Sequence, residues 1–162
     1  MEAHRTVLVF ELARETTAIP IESVHRIVHM TQLDRPPGLP AVLEGVLNLA
    51  GTAVPVLRLE RVLGLRAEDP GLFSMLIVMK GVSAGMTALL VDKVNEVLPV
   101  SVASRVDASE KHSFNSFAEA VVLVGGRTIH LLSPERILLE GERRILSDFQ
   151  AQAQRRIQGW TP

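Results

Sequence analysis

The chain has 162 residues, 47% hydrophobic and 22% charged, and its 17 basic and 18 acidic side chains leave a net charge of -1. That describes one globular unit without the basic footprint of a nucleic-acid binder, and the absence of tyrosine beside five phenylalanines and one tryptophan leaves few stacking platforms for bases. There is no cysteine, which excludes a disulfide framework, a thiolate zinc site and a cysteine nucleophile. The longest apolar runs, such as Ala88 to Val91 and Ala120 to Val124, are strand-sized and far below the roughly 18 residues of a membrane helix. With an acid in Met-Glu-Ala-His-Arg and no signal-type apolar core behind it, the chain reads as cytoplasmic, with no direct membrane insertion.

In chain order, short Val/Ile/Leu-rich segments broken by turn residues predict strands near 7–12, 17–21, 46–49, 53–58, 74–80, 86–92, 94–100, 119–124 and 127–132, the cadence of an all-β domain. The stretch Pro36-Pro37-Gly38-Leu39-Pro40 is a rigid, irregular connection. Helical turns are expected at Leu59 to Leu63 and, behind the Ser133-Pro134 start signal, at Pro134 to Leu139. Gly125-Gly126 is the strongest hairpin signal, because glycine accepts positive φ at both corners of a type I′ turn. From Glu142 to residue 158, Ile145, Phe149, Ala153 and Ile157 recur every four residues and predict a C-terminal helix packed on the body through that stripe.

The sequence also repeats. Residues 46–63 laid over 121–138 match Val46 with Val121, Gly51 with Gly126, Leu57 with Leu132, Glu60 with Glu135, Arg61 with Arg136 and Leu63 with Leu138. Upstream, the segment from Ala18 to Val24 lies over Ala88 to Val94 at an offset of 70. The implied architecture is one module written twice, each copy curled into a small barrel that hides its edges. The resulting barrel subdomains are expected to be interleaved, at roughly 18–72 and 74–141, with the first strand near 7–12.

Three patterns bear on chemistry. His25-Arg26-Ile27-Val28-His29 has the histidine spacing of a helical zinc site, but Arg26 replaces the glutamate that serves as base and repels a cation; the simpler reading is two partly exposed histidines beside buried Val24, Ile27 and Val28. Gly81-Val82-Ser83-Ala84-Gly85 matches a nucleophile elbow, with Asp92, Asp107, His112 and His130 as triad candidates. The elbow needs a following helix, whereas Met86 to Asp92 reads as a strand, so a serine hydrolase using Ser83 is the remote alternative. Gly125-Gly126-Arg127 lacks the helix N-terminus of an anion cradle. No metal or cofactor is expected, and the acids Glu60 and Glu135, or Asp92 and Glu96, show no partner in sequence.

The order of segments resembles the CheW family of chemotaxis coupling proteins from about Val7 to Leu139. The resemblance is carried by Gly45-Val46-Leu47-Asn48-Leu49-Ala50-Gly51, then Val54-Pro55-Val56-Leu57-Arg58-Leu59, then Val91-Asp92-Lys93-Val94-Asn95-Glu96-Val97. It implies two SH3-like five-stranded barrels over residues 6–141, no catalysis, and an adaptor that joins the regulatory domain of a CheA-type histidine kinase to a chemoreceptor cytoplasmic tip. The partner-binding residues it implies are Val24, Arg26, Ile27, Asn48, Ala50, Gly51, Arg58, Val91, Asp92 and Glu96. The family usually has V-x-E-I, N-L-R-G and P-V-x-D-L where this chain has Arg26, Ala50 and Arg58. Two of these departures reverse a charge, so the alternative is a divergent member with a different partner outside the receptor array.

Overall fold

In a computed structural model that describes residues 4–66, 68–81, 85–101, 105–106 and 117–159, the strand cadence becomes two curled sheets. The first has the order β8-β1-β2-β11-β10-β9, from β1 (His4–Leu12), β2 (Glu15–Pro20), β8 (Lys93–Ser101), the two-residue β9 (Arg105–Val106), β10 (Ala118–Val124) and β11 (Arg127–Leu132). The second has the order β3-β6-β7-β5-β4, from β3 (Val24–His29), β4 (Leu43–Leu49), β5 (Thr52–Arg58), β6 (Met75–Met79) and β7 (Thr87–Val91). Each is an SH3-like subdomain.

The repeat is structural. An offset of 75 carries β4, β5 and the start of the following helix onto β10, β11 and theirs, and both hairpins carry a bulge at the matching place, Leu43/Gly45 and Ala118/Ala120. The turns match: φ is 49° and 89° at Ala50-Gly51 and 57° and 78° at Gly125-Gly126. Parallel registers match too, since β5 sets Val56 against Ala88 of β7 while β11 sets Leu131 against Ala18 of β2. The expected boundary between residues 72 and 74 is corrected by this topology. The hairpin β1–β2 sits in the sheet of the second copy, and β6–β7 in the sheet of the first.

That exchange explains the continuous apolar runs. On β1, Val7 and Val9 fill one barrel, while Leu8, Phe10 and Leu12 point into a layer between the barrels; on β6, Leu76 and Val78 fill the other barrel, while Ile77 and Met79 enter the same layer. A strand buried on both faces has no polar alternation to show. The missed strand, β3, is the opposite case. It lies at a sheet edge with His25, Arg26, Ile27 and His29 exposed, so its apolar signal is weak. Ile27, expected to be buried, is 37% exposed, and Val24 and Val28 are half-buried.

Helix α1 (Leu59–Val62) stops because Gly64, at φ 75°, lets Leu65 N–H return to the Glu60 carbonyl and Gly64 N–H to that of Arg61. The equivalent of Gly64 is Leu139, and α2 (Pro134–Gln158) continues for 25 residues. The expected short turn and separate helix from Glu142 are therefore one helix. Its packing stripe is also corrected: Ile137, Leu138, Gly141, Arg144, Ile145, Asp148 and Gln152 face the body, whereas Phe149, Ala153 and Ile157 are exposed. Gln152 Nε2 donates to the Gly38 carbonyl at 3.1 Å and Arg144 NH1 to that of Arg61 at 2.8 Å.

The β1–β2 turn carries a strain that the sequence permits removing. Ala13 and Arg14 occupy positive φ, 50° and 66°, where a Cβ is disfavoured. Replacing the pair by Asn-Gly is expected to raise stability by about 1 to 2 kcal/mol. A urea titration that gives an unchanged or lowered midpoint counts against it.

Candidate partner-binding surface

Past β3 the chain folds back over β4, where Asp34 N–H donates to the Val46 carbonyl at 2.9 Å and Val46 N–H to that of Asp34 at 2.8 Å. This explains the glycine that opens Gly-Val-x-Asn-Leu: a Cβ at Gly45 lies 2.7 Å from Leu33 Cβ and 2.9 Å from the Asp34 carbonyl oxygen. The same crossing leaves a groove of about 480 Å³, lined by Leu33, Asp34, Val46, Asn48, Gly51 and Ala53 among others. At its end Asn48 Oδ1 accepts from Gly51 N–H at 2.9 Å and fixes the turn, with Ala50 exposed at the corner. Five of the expected residues thus present themselves on the barrel of β3–β7: Arg26 and Ile27 along edge strand β3, and Asn48, Ala50 and Gly51 at the β4–β5 turn. Val24 is half-buried at the start of β3 and packs on the inter-barrel layer.

Four expected residues are placed elsewhere by the fold. Val91 is buried in the layer between the barrels. Arg58 is 6% exposed: its NH1 lies 3.3 Å from Glu44 Oε2, its NH2 lies 3.8 Å from Glu60 Oε2, and NH2 also donates to the Glu68 carbonyl. Its guanidinium is an internal counter-ion, not a surface charge, which corrects its expected role. Asp92 is half-buried and accepts from Ala13 N–H at 2.9 Å, tying the β7–β8 connection to the β1–β2 turn. Glu96 lies on exposed β8, 3.3 Å from Arg127.

Glu60 and Asp92, without partners in sequence, meet here. Burial, and then the hydrogen bond and negative charge of Asp92, push the Glu60 carboxyl up to about 7 against the opposing Glu68 N–H and Arg58. Glu68 N–H donates to Glu60 Oε2 at 3.0 Å. A raised carboxyl can mark an acid catalyst, but this one is buried, and the groove beside β4 is lined by other residues. Of the triad candidates, Asp92 is engaged as above and His130 is buried on β11 with Nε2 3.6 Å from Glu15. Ser83, Asp107 and His112 lie outside the described residues. Among the described residues no cluster of three metal-ligating side chains occurs, and no helix is long and apolar enough to cross a membrane.

A duplicated SH3-like barrel whose exposed features are an edge strand and a groove is the build of a protein-binding scaffold. The chain belongs to the CheW-like domain family, whose model matches residues 6–142. It is 29% identical over 142 residues to a chemotaxis protein CheW of Rhizobium meliloti, covering 86% of this chain and 90% of the relative. To the chemotaxis protein CheW of Thermotoga maritima it is 26% identical over 135 residues, covering 83% and 87%. The crystal structure of the scaffolding protein TtCheW from Thermoanaerobacter tengcongensis superposes with a TM-score of 0.73 at 25% identity, covering 81% of this chain and 90% of that one. The chain is accordingly a scaffold-type domain of chemotaxis signalling and not an enzyme.

Proposed function

We propose that the chain is an adaptor that links the regulatory domain of a CheA-type histidine kinase to the cytoplasmic tip of a chemoreceptor, working in the cytoplasm. The observation that carries this reading is the exposed edge of β3 and the groove that ends at the Asn48-Ala50-Gly51 turn, on the barrel built from β3 to β7. An edge strand offers unpaired backbone groups to a partner strand, and side chains such as Arg26 and Ile27 supply selectivity. Arg26 stands where the family usually has an acid, which favours an acidic patch on the native partner, since a desolvated guanidinium needs a carboxylate.

Arg26 is exposed, so Arg26→Glu is expected to leave the fold intact and to weaken the native partner on the order of tenfold. Ala50→Arg is expected to strengthen binding to a kinase or receptor of the usual kind. Calorimetric titration of both variants against a kinase regulatory domain and a receptor tip tests this. Unchanged affinity in both returns these side chains to plain solvated surface. If wild-type protein and Ala50→Arg both fail to bind either partner, the chain serves a different one.

A further inference from the structure

Helix α2 has a second apolar face, which the adaptor reading leaves unused. Along its exposed side, Glu135, Leu139, Glu142, Leu146, Phe149, Ala153 and Ile157 follow one another at steps of four and three, the kind of spacing that forms a coiled-coil seam. Its large members are open to solvent: Leu139 is 70% exposed, Leu146 63%, Phe149 55% and Ile157 65%. The helix beyond residue 142 lies outside the region that matches the family.

The charges on this helix indicate what covers the seam. Arg143 and Arg144 are held inside the helix by Glu140, at 2.6 Å and 3.0 Å. Glu135 and Glu142 in the N-terminal half, and Arg155 and Arg156 in the C-terminal half, form no ion pair among the described residues. Two such helices side by side and parallel set acid against acid and base against base. Antiparallel, with the twofold axis between Leu146 and Phe149, they set Leu146 on the opposite Phe149, Leu139 on the opposite Ile157, and Glu142 beside the opposite Ala153 and Arg156. A self-complementary pattern of this kind is the signature of an isologous interface.

The body supplies a matching receptacle. A cavity of about 410 Å³ lies between the N-terminal half of α2 and the barrel; apolar Leu43, Pro55, Leu139 and Ile145 line it, together with the two unpaired acids Glu135 and Glu142. Apolar walls with two carboxylates suit an apolar stripe with two arginines, which is what residues 149–157 of the same helix carry. We infer that the chain forms a twofold dimer in which α2 helices pair antiparallel, the C-terminal half of each lying along the Glu135–Glu142 groove of the other.

Sedimentation equilibrium on the full chain over a concentration series is expected to show a monomer of 17.7 kDa giving way to twice that mass. Phe149→Glu, at an exposed position, should weaken the dimer on the order of tenfold or more while leaving the melting temperature of the dilute monomer unchanged. Glu142→Arg and Arg156→Glu should each weaken it, and their combination should restore it. Because the chain has no cysteine, the register can be read directly. Under mild oxidation Glu142→Cys mixed with Ala153→Cys should cross-link, whereas Ala153→Cys alone should not. A chain that remains monomeric up to roughly millimolar concentration, a range in which even weak dimers form, overturns the inference and leaves the seam to a helix of another protein. A dimer indifferent to Phe149→Glu, or self-cross-linking of Ala153→Cys, also overturns it.

Discussion

Arg58→Asp is expected to destabilise the folded chain by about 3 to 5 kcal/mol, because it removes the cation from a buried patch and adds an anion in its place. Arg58 is the counter-charge that faces both Glu44 and Glu60, and Asp92 lies against Glu60 as well. After the change, four carboxyl groups share one site. Arg35 still reaches Glu44 from solvent at 2.7 Å, so the loss falls mainly on the Glu60–Asp92 side. Arg58→Met, which removes the charge without adding another, should fall between wild type and Arg58→Asp. Urea unfolding at neutral pH measures all three, and a midpoint for Arg58→Asp equal to that of wild type would show that the guanidinium does not hold this patch together. The result also bears on function. A loss of partner binding in Arg58→Asp would report unfolding and not a lost contact.

What was legible in the sequence depended on local signals. The β4–β5 and β10–β11 hairpins could be aligned because the turn glycines and the two-residue alternation sit inside each segment. That the barrels interleave was expected, but which hairpins are exchanged, β1–β2 with β6–β7, could not be read, because only long-range pairing decides it. Edge strand β3 lost its signal to solvent. Helix α2 was divided in two because the start signal at Ser133-Pro134 and the four-residue stripe from Glu142 read as separate segments; Gly141 between them is a close approach in the fold, where a Cβ would come within 2.8 Å of Leu57 Cδ1. Its two apolar faces also overlap in sequence, so Ile145, which packs, and Phe149, which does not, looked like one stripe. Arg58 reads as a surface residue in any local window. Only the meeting of β5, α1, β4 and the segment around Glu68 makes it internal.

The same patch gives the chain an unusual dependence on pH. Folding raises the Glu60 carboxyl from the ordinary 4.5 to about 7, so between those values the folded chain holds a proton that the unfolded chain has released. The associated stabilisation is fully present below the unfolded value and is lost as pH rises through the folded one; a displacement of this size corresponds to about 3 kcal/mol. Through this group stability should therefore fall from about pH 4.5 to about pH 7, opposite to the trend set by salt-bridged carboxylates. The wild-type curve sums every ionisable group of the chain and does not by itself isolate Glu60. Glu60→Gln does isolate it. Its amide oxygen can still accept from Glu68 N–H and its NH₂ can donate to Asp92, so it reproduces the protonated acid at every pH. Urea midpoints of the two proteins should agree near pH 4 and diverge as pH rises, with Glu60→Gln the more stable from about pH 7 upward. Asp92→Asn, which removes the neighbouring charge, should lower the folded value of Glu60, so that the divergence is smaller and complete at a lower pH. Parallel curves for wild type and Glu60→Gln would mean that Glu60 ionises in the folded chain as it does in the unfolded one.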